Sequence, residues 1–307
     1  MTHMLHLLVL HGASAAASPL DATWARYLET PPPRAVVLAD ALSARADEVT
    51  SRLDPAALAV TGPVDVVCSG GGNLDAFYMG AAMIFARVEA GTGALEWHRS
   101  AGASAGGMMS FELALKGERL TLEHHLAYGV LTEDHPLHYA LMSAAALTQD
   151  RHWRDMAAWQ TGTYADSLST LDGRVALATA CLAPWPRLIK LDAFTAEDHQ
   201  ASAAFMATGT LFQEVEGLWC TDGGALSGPN MTPLFQDGAR AQIIVDLMQT
   251  GSPSDLVWSV RLHEWVALVE RGQDAAAQFL QTGAVPGGRA ITLCPAGSST
   301  RGNVCRD

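Results

Sequence analysis

Three short glycine-bearing segments hold residue types that together could carry out acyl transfer: Gly70-Gly71-Gly72, Gly102-Ala103-Ser104-Ala105-Gly106 and Asp222-Gly223-Gly224. The first offers successive backbone N–H groups that can converge on an anion. The second sets a serine among residues small enough for a sharp strand-to-helix turn, where a nucleophile is exposed on strained backbone. The third supplies a carboxylate able to take the serine proton directly, with two glycines that let its loop approach another backbone closely. The chemistry these predict has Ser104 as nucleophile and Asp222 as base, with Gly70, Gly71, Gly72 and the Ala105 N–H as oxyanion site. Gly102, Gly106, Gly223 and Gly224 shape the turns. Neither metal nor cofactor is required.

Such residues must be delivered by strands that end in loops. Val64-Asp65-Val66-Val67-Cys68 is a short β-branched run leading into the glycine triplet, as a buried parallel strand would. Leu74, Phe77, Ala81, Ile84 and Phe85 then recur at helical spacing. The serine segment has the same form, with a strand from Trp97 to Ala101 and a helix bearing Met108, Met109, Phe111 and Leu115. Downstream, strands are expected at Arg174 to Cys181, Leu188 to Leu191, Leu218 to Thr221 and Ala241 to Leu247, with a helix from Ala196 to Met206. Leu120 to about Thr163 reads as helical, a lid or acyl-binding region. Ser254 to Leu280 reads as one amphipathic helix, or a pair broken near Gly272. Before the first motif, a strand from Leu5 to Leu10, a helix from Asp21 to Leu28, a strand from Ala35 to Leu38 and a helix to Leu53 make the start of the chain globular. The expected fold is α/β: a three-layer α/β/α domain around a mainly parallel sheet, with the site at the carboxyl ends of the strands.

The order and spacing of the three motifs resemble the patatin-like phospholipase family. Val66-Val67-Cys68-Ser69-Gly70-Gly71-Gly72 and the following Phe77-Tyr78-Met79-Gly80 match its glycine loop and helix start. Ser100 to Gly106 matches its nucleophile elbow, and Thr221-Asp222-Gly223-Gly224 with Asn230 and Pro233 matches its Asp-Gly-Gly segment. A weaker echo lies in Arg271-Gly272-Gln273-Asp274-Ala275. The resemblance covers about Val64 to Pro233 and not the first sixty or so residues; length and pattern lead us to expect a single α/β domain over 1–307, its patatin-like catalytic part about 64–295, preceded by a globular extension over 1–62. The resemblance implies a Ser104–Asp222 dyad without a catalytic histidine, an acyl-enzyme intermediate, and hydrolysis of a lipid or simple ester. One departure stands out: Leu74 and Asp75 occupy the positions where the family usually has a basic residue and glycine. Asp75 is thus expected to add negative charge near a site meant to hold an anion.

Other chemistries fit less of the chain. An α/β-hydrolase with a Ser-His-Asp triad could use the Leu8-Val9-Leu10-His11-Gly12 segment and His263, but it leaves Asp222-Gly223-Gly224 unexplained. A dinucleotide site fails because Leu74 and Asp75 stand where G-x-G-x-x-G needs small residues. His124, His125, His135, His138 and His152 fall in one region without paired ligands at metal spacing, and Trp153, Trp159, Trp258 and Trp265 read as core or cleft lining. The alternative from another class is a catalytically silent lipid-binding or scaffold protein of the same fold.

A net charge of −13 over 307 residues argues against a nucleic-acid partner. No stretch reaches the roughly eighteen apolar residues of a membrane span, so lipid would be met transiently at a surface or drawn into a cleft. Oligomeric state stays open. Cys68 and Cys220 lie in apolar strand-like runs and read as buried thiols, which favours a reducing, cytoplasmic compartment; a Cys294–Cys305 bridge and secretion stay open. The apolar Met4 to Leu10 run lacks any Lys or Arg before Arg26, and a strand is preferred there to a secretion signal.

Overall fold

The structure is a computed structural model. It describes residues 19–70, 75–115, 118–135, 174–181, 187–191, 213–215, 217–222, 240–246, 261–285, 291–296, 299–300 and 305–306. The expected strand at 5–10, the helix at 196–206, the upper part of the helical region beyond 135, and the segment 254–260 lie outside these residues, as do Gly71, Gly72, Gly223 and Gly224.

The described chain begins with two helices, α1 (Pro19–Glu29) and α2 (Pro33–Ser51). The second corrects the expected strand at Ala35 to Leu38. Pro33 sits at the helix start, where its missing N–H costs nothing. Ala35, Ala39, Leu42 and Ala46 then recur on one buried face while Val37 points to solvent, a helical rather than a strand pattern. Trp24 and this face belong to the same hydrophobic core as the helices and strands that follow.

Strand β1 (Gly62–Cys68) leads to α3 (Asp75–Thr92), and β2 (Leu95–Gly102) to α4 (Ala105–Leu115). Helix α5 (Glu118–Asp134) follows. Then come β3 (Val175–Cys181), β4 (Arg187–Leu191), β5 (Gln213–Val215), β6 (Leu218–Asp222), β7 (Ala241–Val245), α6 (Leu262–Thr282), β8 (Ile291–Cys294) and the short pair β9 (Ser299–Thr300) and β10 (Cys305–Arg306). Helix α6 is continuous through Gly272. Glu264 accepts the Arg261 N–H at 2.9 Å at its start, and Gly283, at φ 73°, closes its end with an N–H bond to Phe279 O. Gly272 is there for proximity: a Cβ on it would collide with Phe77 O, and one on Gly80 would collide with Val269 O. Helices α3 and α6 therefore cross backbone to backbone.

Eight strands form one mixed sheet, in the order β5-β6-β3-β2-β1-β7-β8 with β4 also on β3. The centre is parallel, with β3, β2, β1 and β7 running together. Strands β4, β5, β6 and β8 join by antiparallel ladders, so the sheet is mixed rather than mainly parallel. Val64, Val66 and Cys68 pack into the core shared with the helices, while Val67, Ala101, Ala176 and Ile244 form a cluster of their own. Both faces of the central strands are thereby buried, which explains their near-continuous apolar runs. Between Val64 and Asp65 the β1–β2 register slips by one residue. The fully buried Asp65 carboxylate pairs there with the Arg99 guanidinium, whose Nε lies 3.1 Å from both carboxylate oxygens.

Cys220 is not a free thiol: it is bridged to Cys181 across the β3–β6 ladder, where the two residues are register partners. Cys294 is also disulfide-bonded. Sequence showed two cysteines in apolar strands, but which strands would be neighbours depends on topology, and that decides pairing. Among the described residues no helix is long and apolar enough to cross a membrane.

Candidate active site

Ser104 lies between the end of β2 and the start of α4 with φ 55°, the only non-glycine residue with positive φ among those described. For a residue with a Cβ that region carries strain, tolerated where the surroundings fix it. Gly102 and Gly106 permit the fixing. A Cβ on Gly102 would collide with Gly106 O, and one on Gly106 with the carbonyls of Cys68 and Ser69. A larger residue at 106 would push the turn off the end of β1, and one at 102 would push the end of β2 off the first turn of α4. The Gly107 N–H bonds to Ser104 O at 2.9 Å, so the chain turns into α4 immediately after the serine. Ala105 opens that helix, and its N–H is among the first four of the helix, which have no intrahelical acceptor.

The close approach of Gly106 brings the serine to the glycine segment. A Cβ on Gly70 would stand 3.3 Å from Ser104 Cβ and 3.6 Å from Ala103 O. The first of the expected oxyanion-loop glycines thus faces the expected nucleophile, with no room for a side chain between them.

The sheet register locates the backbone of Asp222, for which the backbone alone is described. Strand β4 pairs with β3 from Leu177 to Cys181. Gly102 also pairs with Leu177, and Asp222 with Thr179, so β2 and β6 must share the other edge of β3. They meet end to end. Gly102 closes β2 opposite Leu177, and Asp222 closes β6 two residues further along, about 7 Å at the usual strand rise. Strand β6 therefore runs toward the serine elbow and stops at Asp222. Its last turns of ladder are held by the Cys181–Cys220 bridge and by the Thr179 hydroxyl, which donates to Thr221 O at 2.7 Å.

Asp75 has partners that the sequence did not suggest. Its carboxylate is buried behind α3, accepting the Trp265 Nε1–H at 3.1 Å on one oxygen. The other oxygen is in ion-pair contact with His125 Nε2 at 2.9 Å, set obliquely rather than as an aligned hydrogen bond. The two rings stack with centroids 5.7 Å apart. The carboxylate thus meets side chains from α5 and α6, at the first residue of α3, where a helix favours an acid. Spacing along one helix could not reveal partners contributed by two others.

A second buried acid, Asp246, was missed. It follows β7 directly, and its Oδ1 accepts from Ser69 Oγ at 3.2 Å. The Tyr78 hydroxyl lies 3.0 Å from Ser69 Oγ and 3.0 Å from Val245 O, and it also bonds Ser69 O. The signal available in the sequence was an Asp immediately after a buried strand; extending that strand to Leu247 hid it.

The remaining expectations resolve simply. His263 is exposed in the first turn of α6. His124 bonds Leu28 O at 2.8 Å, His138 and His152 lie outside the described residues, and no metal-binding group of His, Cys, Asp or Glu occurs among those described. Cys68, the one free cysteine described, faces a small apolar void beside Tyr78, Phe85 and Met109. Burial pushes its thiol up to about 12, against a smaller opposing effect of a hydrogen bond with Ser110. It is no rival nucleophile at neutral pH.

No protein-family model matches the chain, and no curated protein matches it significantly.

Proposed function

We propose that the chain is a serine-dependent lipid acyl hydrolase, a phospholipase or esterase of patatin-like, three-layer architecture. The observation that carries this reading is the close facing of Gly70 and a positive-φ Ser104 at the end of a parallel strand, where a Cβ on the glycine would stand 3.3 Å from the serine Cβ. A strained serine pressed against a glycine segment is what acyl transfer needs and is costly without a role. Burial of both faces of the central strands supports the layered architecture.

In this mechanism the Ser104 hydroxyl attacks the ester carbonyl carbon and its proton passes to Asp222. The carbonyl oxygen, now anionic, is held by N–H groups of Gly70, Gly71, Gly72 and Ala105. Collapse expels the leaving alkoxide, which takes the proton back from Asp222, leaving an acyl-serine. Water attacks this ester, Asp222 accepting its proton and returning it to Ser104 as the fatty acid leaves. The Ser-His-Asp alternative would need His263, which faces solvent.

Location follows from the cysteines. With Cys181, Cys220 and Cys294 bridged, cysteine usage supports a compartment that permits disulfides and no longer supports the cytoplasm.

Labelling with a fluorescent fluorophosphonate tests the reading cheaply. Labelling of wild type that disappears in Ser104→Ala is the expected result; a folded wild type that takes no label turns the assignment toward a silent lipid-binding protein.

A further inference from the structure

We infer that two buried polar clamps, Ser69–Tyr78–Asp246 and Asp75–Trp265–His125, are the positioning residues of the glycine segment, one at each of its ends; this rests on the acyl hydrolase reading. An oxyanion site works only if its N–H groups already point to one place about 3 Å away when charge develops. Glycines do not hold a direction by themselves, because they are the residues freest to change it. The direction must come from what fixes the flanks.

At the first flank Ser69 extends the β1–β7 ladder, its N–H donating to Val245 O at 3.0 Å. Its hydroxyl reaches Asp246, and Tyr78, one turn into α3, returns to bond the Ser69 carbonyl. The phenol has a single proton and two carbonyls within reach, those of Ser69 and Val245. It therefore ties the start of α3 to the ends of two neighbouring strands. On the second flank Asp75, three residues after Gly72, is the first residue of α3. It is fixed from α6 by the Trp265 N–H and from α5 by His125. The Trp265 indole cannot drift, since α6 is locked on α3 by the Gly80–Val269 and Gly272–Phe77 backbone contacts.

All six residues are buried. Carboxylates are rarely buried without a partner, and here Asp246 accepts from Ser69 while Asp75 accepts from Trp265 and meets His125. Each clamp joins the segment that must be positioned to an element that does not move with it. Loss of one clamp is expected to leave substrate binding intact and to loosen the oxyanion site, since a displacement of about 1 Å can cost about a hundredfold in rate.

The test uses the full chain and two substitutions that remove a polar group while keeping an aromatic side chain, Tyr78→Phe, which loses the hydroxyl alone, and Trp265→Phe, which exchanges the indole for a smaller ring. Steady-state hydrolysis of a p-nitrophenyl ester and the rate of Ser104 phosphonylation by a fluorophosphonate are measured on folded protein. The expected result is a kcat lower by about tenfold or more in each, KM within about twofold of wild type, and phosphonylation slowed in parallel. Asp75→Asn, which keeps an acceptor for the indole N–H, should retain more kcat than Asp75→Ala. Unchanged kcat and labelling in the folded variants, or a loss confined to KM, would overturn the inference. Should either ring variant fail to fold, Ser69→Ala and Asp75→Ala take their places with the same expectation. A folded wild type that Ser104 labelling misses altogether overturns the hydrolase reading and the clamps with it; a labelled wild type with unaffected variants overturns the clamps alone.

Discussion

Gly70 faces Ser104 with room for no side chain between them: a methyl group on the glycine would stand 3.3 Å from the serine Cβ. That distance is a few tenths of an ångström tighter than ordinary packing, so Gly70→Ala must displace either the glycine segment or the elbow. The expected outcome is a kcat reduced about tenfold to a hundredfold with a stability loss of no more than about 1 kcal/mol. Steady-state kinetics beside thermal melts checks it, and unaltered kcat would separate Gly70 from the reacting centre.

Ser104 occupies a backbone region that favours glycine. Replacing it by glycine relieves the Cβ strain, whereas alanine retains it. Ser104→Gly should therefore be more stable than Ser104→Ala by about 1 kcal/mol, and both should be inactive. Denaturant unfolding of the two variants measures the difference. Equal stabilities would mean the elbow stores no strain.

The Cys181–Cys220 bridge holds β6 against β3 two residues before Asp222. It closes a sequence separation of 39 residues, for which chain entropy suggests about 4 kcal/mol of stability. Replacing both cysteines by serine should lower the unfolding midpoint and, at temperatures where the fold persists, reduce kcat as the end of β6 loosens. Melts and kinetics on the double variant, compared with reductant-treated wild type, test this; retention of full activity would show that β6 is held without the bridge.

The Cys68 thiol gives a pH signature. Its folded pKa of about 12 lies above the ordinary 9.0, so near pH 9 the unfolded chain begins to release a proton that the folded chain keeps. Stability from this group is level below pH 9 and falls as pH rises from 9 toward 12. Cys68→Ala should flatten that alkaline limb, and denaturant unfolding at a series of pH values reads it. An identical limb in the variant would assign the loss to other groups.

Local signals served well where a single element decides the outcome. The β-branched run before Gly70, the helical recurrence of Phe77, Ala81, Ile84 and Phe85, and the small residues flanking Ser104 are properties of one segment, and each element stands where they put it. The run Ala35-Val36-Val37-Leu38 misled because its β-branched residues suit a strand while the i, i+4 recurrence of Ala35 and Ala39 serves a helix packed on the core. Gly272 looked like a break; its purpose, a close crossing with Phe77, exists only once α3 and α6 are side by side. The antiparallel arrival of β6, the Cys181–Cys220 pairing, and the partners of Asp75 and Asp246 all join segments far apart in the chain. Their signal lies in topology, which one sequence does not display.

Hydrolysis of a p-nitrophenyl ester series by wild type, Ser104→Ala and Asp222→Asn, each shown to be folded by circular dichroism, tests the dyad most directly. Wild type is expected to turn over the esters with an optimum at one acyl length, and both variants to lose about a thousandfold or more. Wild-type turnover that survives in either folded variant, or a folded wild type with no turnover on any ester, would contradict the dyad.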